Sequence, residues 1–258
     1  MWTGISCLHS DMVKVRHHRL DMAVAAGTGG LSFVPVDDGD APDGDTLYQL
    51  SRLASLTEHL EYEGLVKAAD LGKYGDFGVG APYRLGELNI LDGKVYQALH
   101  DGTVVVSDLH QRVPFAQLTR FKADFSHSFS SASNIRDFES QLDRLIAPHG
   151  RNVFYAVKIN GRFPMMRCRS VHFQRKPFKA MKRVMAEDQV ITVWHNISGT
   201  LIAIYGPGFI RPLAPAGWHF HFLSDDRKLG GHVLDLQAGQ VKAEFDSIPQ
   251  FVLMLPET

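Results

Sequence analysis

The residues best equipped for chemistry are three histidines late in the chain. Trp218-His219-Phe220-His221-Phe222 alternates imidazoles with aromatics, and Gly230-Gly231-His232 follows shortly after. In a β-strand, residues i and i+2 point to the same face. His219 and His221 then project together, while Phe220 and Phe222 go to the opposite, packed face. A third imidazole on a neighbouring strand would complete three neutral nitrogens with an open fourth position, the arrangement of a catalytic rather than a structural zinc site. A His-x-His pair in a chain with 13 histidines also arises as a strand edge with two surface rings. The aromatic alternation and the glycine pair, where backbones can approach closely, favour the metal. His17 and His18 fall in an N-terminal leader. His59, His100, His110, His127, His149, His172 and His195 stand singly and read as surface or structural side chains.

Two kinds of charged group could serve such an ion. Glu87 sits in an apolar strand pattern, and a carboxyl beside a bound substrate can move a proton. Arg167 and Arg169 share strand parity, and a guanidinium can grip a carboxylate with two parallel hydrogen bonds. Spacing alone does not bring these residues to the histidines; the fold must.

The elements that would position them are mostly strands. Leu85-Gly86-Glu87-Leu88-Asn89-Ile90-Leu91 meets Lys94-Val95-Tyr96-Gln97-Ala98-Leu99 across Asp92-Gly93, the preferred type I′ turn. A second hairpin is expected from Phe154 to Ile159 and onward from Arg162, turning at Asn160-Gly161. Val190–Asn196 and Thr200–Tyr205 alternate around Ser198-Gly199, followed by the histidine strand, a strand from His232 to Leu236 and one from Phe251 to Leu255. Ile135, Phe138, Leu142, Leu145 and Ile146 mark an amphipathic helix with Asn134 as cap and Pro148 as stop. Leu47, Leu50, Leu53, Ala54 and Leu60 suggest another helix, with Asp45 or Thr46 as cap and Gly64 past its end. The glycine-rich segment Gly72 to Gly80 lacks the Gly-Lys-Ser/Thr ending of a phosphate loop and reads as a turn-rich connection.

This pattern argues for an α+β protein of two domains, with mixed and antiparallel sheets, few helices and the metal site on the C-terminal sheet. Residues 1–44, glycine-rich and then acidic, read as a poorly structured leader. A mixed-sheet domain spans 45–150 and a β-rich, metal-bearing domain 151–258, with the boundary at Pro148-His149-Gly150. The 258 residues suffice for such cores. A formal net charge of −1 gives no broad electrostatic case for nucleic acid or an acidic membrane. Two cysteines, Cys7 and Cys168, make neither a disulfide framework nor a Cys-x-x-Cys pair. With no long apolar run and no convincing signal peptide, a cytoplasmic location is favoured; an upstream export signal is the alternative.

Several segments together resemble the acetolactate decarboxylase family. They are Gly75-Asp76-Phe77-Gly78-Val79-Gly80, Gly86-Glu87 with Leu91-Asp92-Gly93-Lys94-Val95-Tyr96-Gln97, Pro114-Phe115-Ala116, Asn152 to Gly161, Arg169-Ser170-Val171 and Lys176-Pro177. The most specific is Gly217-Trp218-His219-Phe220-His221-Phe222 with Asp226-Arg227-Lys228 and Gly230 to Asp235. The resemblance runs in consistent order over about residues 45–256. It implies a two-domain homodimer built through the first domain and carrying zinc (Zn2+). It implies a carboxy-lyase that converts 2-acetolactate to acetoin and carbon dioxide, towards butanediol. By position His219, His221 and His232 match the zinc ligands, and Glu87 and Arg169 the active-site acid and arginine. The family's tail beyond the Leu-Pro that matches Leu255-Pro256 returns an acidic residue to the metal; Glu257 does not occupy that position.

The implied chemistry is consistent with the residues. Loss of CO2 from a β-keto acid leaves an enediolate, and zinc chelating the substrate's hydroxyl and carbonyl or carboxylate oxygens would stabilise it. No thiamine or pyridoxal motif is apparent. The competing class is a metal β-protein of other chemistry, such as a cupin. Cupins also present His-x-His on a strand but add a Glu soon after, where this chain has Ser224-Asp225-Asp226.

Overall fold

The computed structural model describes residues 45–255 except Leu65, Leu85 and Pro212, together with the backbone strands Asp11–His17, Leu20–Gly27 and Gly30–Pro35. Strands dominate and helices are few. Two main sheets carry the fold. The first runs, in spatial order, through Gly30–Pro35, Leu20–Gly27, Asp11–His17, Gln250–Met254, Thr46–Leu50, Phe115–Thr119, Phe77–Ala81, Glu87–Leu91, Lys94–Ala98 and Val104–Val106. It is mixed, because Gln250–Met254 lies parallel to both its neighbours. The second is antiparallel: Phe125–Phe129, Val241–Ile248, Phe154–Val171, Gln189–Gly206, Gly217–Ser224 and Gly230–Gln237. Its last strand also pairs with Phe154–Val171, so this end of the sheet closes on itself.

The sheets pack face to face. Leu47, Phe77, Val79, Leu91 and Tyr96 of the first meet Phe154, Ala156, Ile202, Ile204 and Leu223 of the second in one apolar cluster. The other face of the second sheet buries Phe220, Phe222 and Phe245 with Phe138, Leu142 and Ile146 of the helix Ile135–Ile146. That helix begins as its sequence dictates: the Asn134 side chain accepts the Asp137 N–H at 3.0 Å.

Several expectations from sequence are corrected by this arrangement. Leu47 and Leu50 are not on one helix; they lie in the strand Thr46–Leu50, and only Leu53–Thr57 is helical. Leu47 faces the second sheet and Leu50 the outer core. Burial of both strand faces hid the two-residue period, so the spacing mimicked a helix. The glycine-rich segment is likewise no mere connection, since Phe77–Ala81 is a central strand. A Cβ on Gly80 would sit 2.5 Å from the Phe115 carbonyl oxygen, so the glycine is there for close backbone approach.

The Asp92-Gly93 turn forms as expected, with φ of 52° and 75°. Asn160-Gly161 does not turn. Phe154–Val171 is one unbroken strand, and Gly161 lies opposite Gly199 in an equally continuous Gln189–Gly206. A Cβ on Gly161 would lie 2.5 Å from the Gln240 carbonyl oxygen, and one on Gly199 2.5 Å from that of Leu223. These glycines admit neighbouring backbone rather than reverse the chain.

The division at 148–152 also differs from the sheet assignment. The chain passes from one sheet to the other between Phe115–Thr119 and Phe125–Phe129, and Gln250–Met254 returns to the first. Pro148 ends a helix without marking a change of sheet. Three strands occupy part of the expected leader; the acidic run at 37–44 lies outside the described residues.

Removing the helix cap by Asn134→Ala is expected to cost about 1 kcal/mol. Gly161→Ala forces a methyl into backbone and is expected to cost several-fold more. Urea midpoints check both; a Gly161→Ala variant as stable as the wild type would contradict the close packing.

Candidate active site

The three histidines converge. His221 is directly across the ladder from His232, and His232 is across from Arg169 on the adjoining strand. Cross-strand partners share a face, so one row presents Arg169, His232 and His221 side by side. His219 joins them by strand parity. The ring centroids are 4.9 to 5.4 Å apart. The glycines before His232 permit this register: a Cβ on Gly230 would be 2.6 Å from the Phe222 carbonyl oxygen, and one on Gly231 2.8 Å from that of Arg169. Phe220 and Phe222 are buried on the other face, as the alternation requires.

The row faces the first sheet, which supplies Glu87. One Glu87 carboxyl oxygen lies 3.4 Å from His221 Nε2. Next to it, the Leu88 carbonyl accepts the His221 Nδ1–H at 2.9 Å. That bond fixes the tautomer and leaves Nε2 with its lone pair free for a ligand. Sequence reasoning gave no sign of Leu88, because the backbone carbonyl of any residue could serve.

Arg169 is half-buried, with its Nε buried and without a hydrogen-bond partner among the described residues. Its charge reaches Glu87 and all three imidazoles. Arg167, the other candidate, is exposed and pairs across the ladder with Val193 and Asp235. Glu257 lies outside the described residues.

Burial sets the protonation states. It drives His219 down to about 4, with Arg169 adding to the fall. His221 and His232 are also held well below the usual imidazole range, first by burial and then by the neighbouring rings and Arg169. All three are neutral at pH 7, the form that binds metal. Burial pushes the Glu87 carboxyl up to about 8, with Arg169 pulling in the opposite sense. Glu87 therefore holds a proton at neutral pH and can give it up.

The donor set fits a divalent ion. One nitrogen from each ring lies within 4.8 Å of the others. His219 Nε2 and His232 Nδ1 are 3.1 Å apart. Two nitrogens held tetrahedrally at ~2.0–2.1 Å from an ion would be roughly 3.3 Å apart. Three neutral imidazoles with a carboxyl and a guanidinium alongside can hold a metal and a small anionic substrate together.

A family model for alpha-acetolactate decarboxylase matches residues 47–258. The chain belongs to the alpha-acetolactate decarboxylase family. It is 36% identical over 213 residues to the alpha-acetolactate decarboxylase of Methanosarcina mazei, covering 82% of this chain and 73% of that protein. With the Bacillus subtilis enzyme the identity is 32% over 213 residues, 82% of each. The crystal structure of alpha-acetolactate decarboxylase from Bacillus subtilis strain 168 superposes with a TM-score of 0.78 at 32% identity, over 83% of this chain and 90% of that one. A Staphylococcus aureus protein of unknown function, described as similar to alpha-acetolactate decarboxylase, superposes at 0.77 with 28% identity, over 82% and 89%.

The pKa shifts predict the stability of chelator-treated protein. An unfolded histidine takes its proton near 6.5, whereas folded His219 resists until about 4. The folded state is thus favoured above about 6.5, and that contribution drains away as pH falls towards about 4. Glu87 works in the opposite sense. Its carboxyl titrates near 4.5 when unfolded and about 8 when folded, so its contribution is lost as pH rises between them. Relative to Glu87→Gln, the wild type is expected to lose stability as pH rises across that window. Parallel urea curves that match at every pH would contradict the buried, protonated carboxyl.

Proposed function

We propose that this family member is a zinc-dependent enzyme that decarboxylates 2-acetolactate to acetoin and CO2. The observation that carries the reading is the meeting, in one buried space, of His219, His221 and His232 with the protonated Glu87 and the charged Arg169. Zinc is the metal expected for a set of neutral imidazoles, and His219, His221 and His232 would hold it. When bound, it supplies a Lewis acid that draws charge from the substrate oxygens as the carboxyl group leaves.

The protein's own groups do the rest. Arg169 holds the substrate carboxylate. Its half-buried guanidinium strengthens that grip, because the surroundings screen the charge less than water does. The lone Nε–H is a donor ready for an oxygen acceptor. Glu87 delivers a proton to one face of the carbon that loses CO2, and delivery from one side sets the chirality of acetoin. Its elevated pKa suits that task, since a carboxyl ionised at pH 7 would have no proton to give. A homodimer and a cytoplasmic location complete this reading; sedimentation at working concentration tests the first.

Turnover of racemic 2-acetolactate, with acetoin resolved on a chiral column, tests the roles. Arg169→Ala is expected to lower kcat/KM by about 10²-fold or more, a charge-assisted pair being worth about 1.5–3 kcal/mol or beyond. Glu87→Gln is expected to lower kcat by a similar factor and to erode the enantiomeric purity of the product. Full kcat/KM in Arg169→Ala would remove the carboxylate grip, and normal turnover with unchanged chirality in Glu87→Gln would remove the proton donor.

A further inference from the structure

One side chain next to the site is in a costly position that packing does not explain. Asn89 lies two residues beyond Glu87 on the same strand, so both point to the face that looks at the second sheet. Leu91, the next residue on that face, packs into the apolar cluster between the sheets. Asn89 is completely buried, yet among the described residues neither its amide oxygen nor its amide nitrogen has a hydrogen-bond partner. The nitrogen lies against Gly230: a Cβ built on that glycine would be 3.6 Å from it. Gly230 leads directly to His232.

A buried amide left unpaired keeps its full desolvation cost with no hydrogen bond to offset it. A leucine of similar volume here would extend the apolar core and avoid that cost. The Glu87 carboxyl is in a matching state. It is buried and accepts no hydrogen bond among the described residues; His221 Nε2, 3.4 Å away, carries a lone pair and no proton to give. Same-face neighbours on a strand are roughly 6.5–7 Å apart at Cα, a gap that one water spans between two polar side chains. The amide can donate to that water and accept from it, so it suits a carboxyl in either protonation state.

We propose that Asn89 is a positioning residue: through a buried water it holds the Glu87 carboxyl in the orientation from which the proton is delivered. This rests on the proton-donor reading of Glu87. Asn89 touches no reacting atom, so its loss should alter turnover and product chirality while leaving substrate capture by Arg169 intact.

The test compares Asn89→Leu, Glu87→Gln and the double variant, all metal-loaded, with racemic 2-acetolactate. Asn89→Leu is expected to lower kcat about tenfold, leave KM unchanged and reduce the enantiomeric purity of acetoin. The double variant should turn over no more slowly than Glu87→Gln alone, because Asn89 acts only through that carboxyl. A purely structural residue would lose stability and spare chirality. If Glu87→Gln is impaired while Asn89→Leu keeps wild-type kcat and chirality, the positioning role is overturned. If Glu87→Gln is itself fully active, it is the proton-donor reading that falls. Should Asn89→Leu fail to fold, Asn89→Thr and Asn89→Ala replace it. Threonine, which can still hold the water, is expected to retain several-fold more turnover than alanine, and equal turnover in the two overturns the proposal.

Discussion

The hydrogen bond from His221 Nδ1 to the Leu88 carbonyl does three jobs at once. It joins the two sheets at the point where the site forms. It selects the tautomer of His221 and turns Nε2 towards the ligand space. It also places Leu88, and therefore Glu87 beside it, against the histidine row. A backbone carbonyl is a fixed acceptor on a rigid strand, so the imidazole it holds is fixed too. Without that contact the histidines would still share a sheet face, but the acid would have no defined position relative to them.

The other site properties follow from the location between two sheets. Beside the packing that buries Leu47, Phe77, Ile202 and Ile204, His221 and Glu87 are themselves buried, while His219, His232 and Arg169 are half-buried. Desolvation keeps the histidines neutral, the form that binds metal, and pushes the Glu87 carboxyl up to about 8, the property on which the proposed proton delivery draws. Arg169, to which the proposed reading gives the substrate carboxylate, further discourages protonation of the rings from its half-buried position. The closed end of the second sheet makes the arrangement stiff, since Arg169, His232 and His221 occupy one row across three strands.

What was legible in the sequence was local. The two-residue period of Trp218 to Phe222 placed two imidazoles on one face and two phenyl rings on the other, because strand parity needs no tertiary information. The Asp92-Gly93 turn and the Asn134-capped helix were readable for the same reason. Glu87 and Arg169 were not legible from spacing; family resemblance singled them out, and only the pairing of distant strands brings them to the histidines. Asn89 left a faint sign, a polar residue inside the apolar run Leu88 to Leu91. The errors were also physical: strands buried on both faces lose their alternation, and glycines that admit neighbouring strands look like turns.

The central claim is that one divalent ion on His219, His221 and His232 is what makes the chain a decarboxylase. The most direct measurement strips the protein with a chelator, adds zinc back in increments, and follows bound metal and acetoin production together. Activity should be absent without metal and rise in proportion to occupancy, ending at one ion per chain. Full turnover of 2-acetolactate by metal-free protein, or saturation unaltered by replacing all three histidines, would contradict the account.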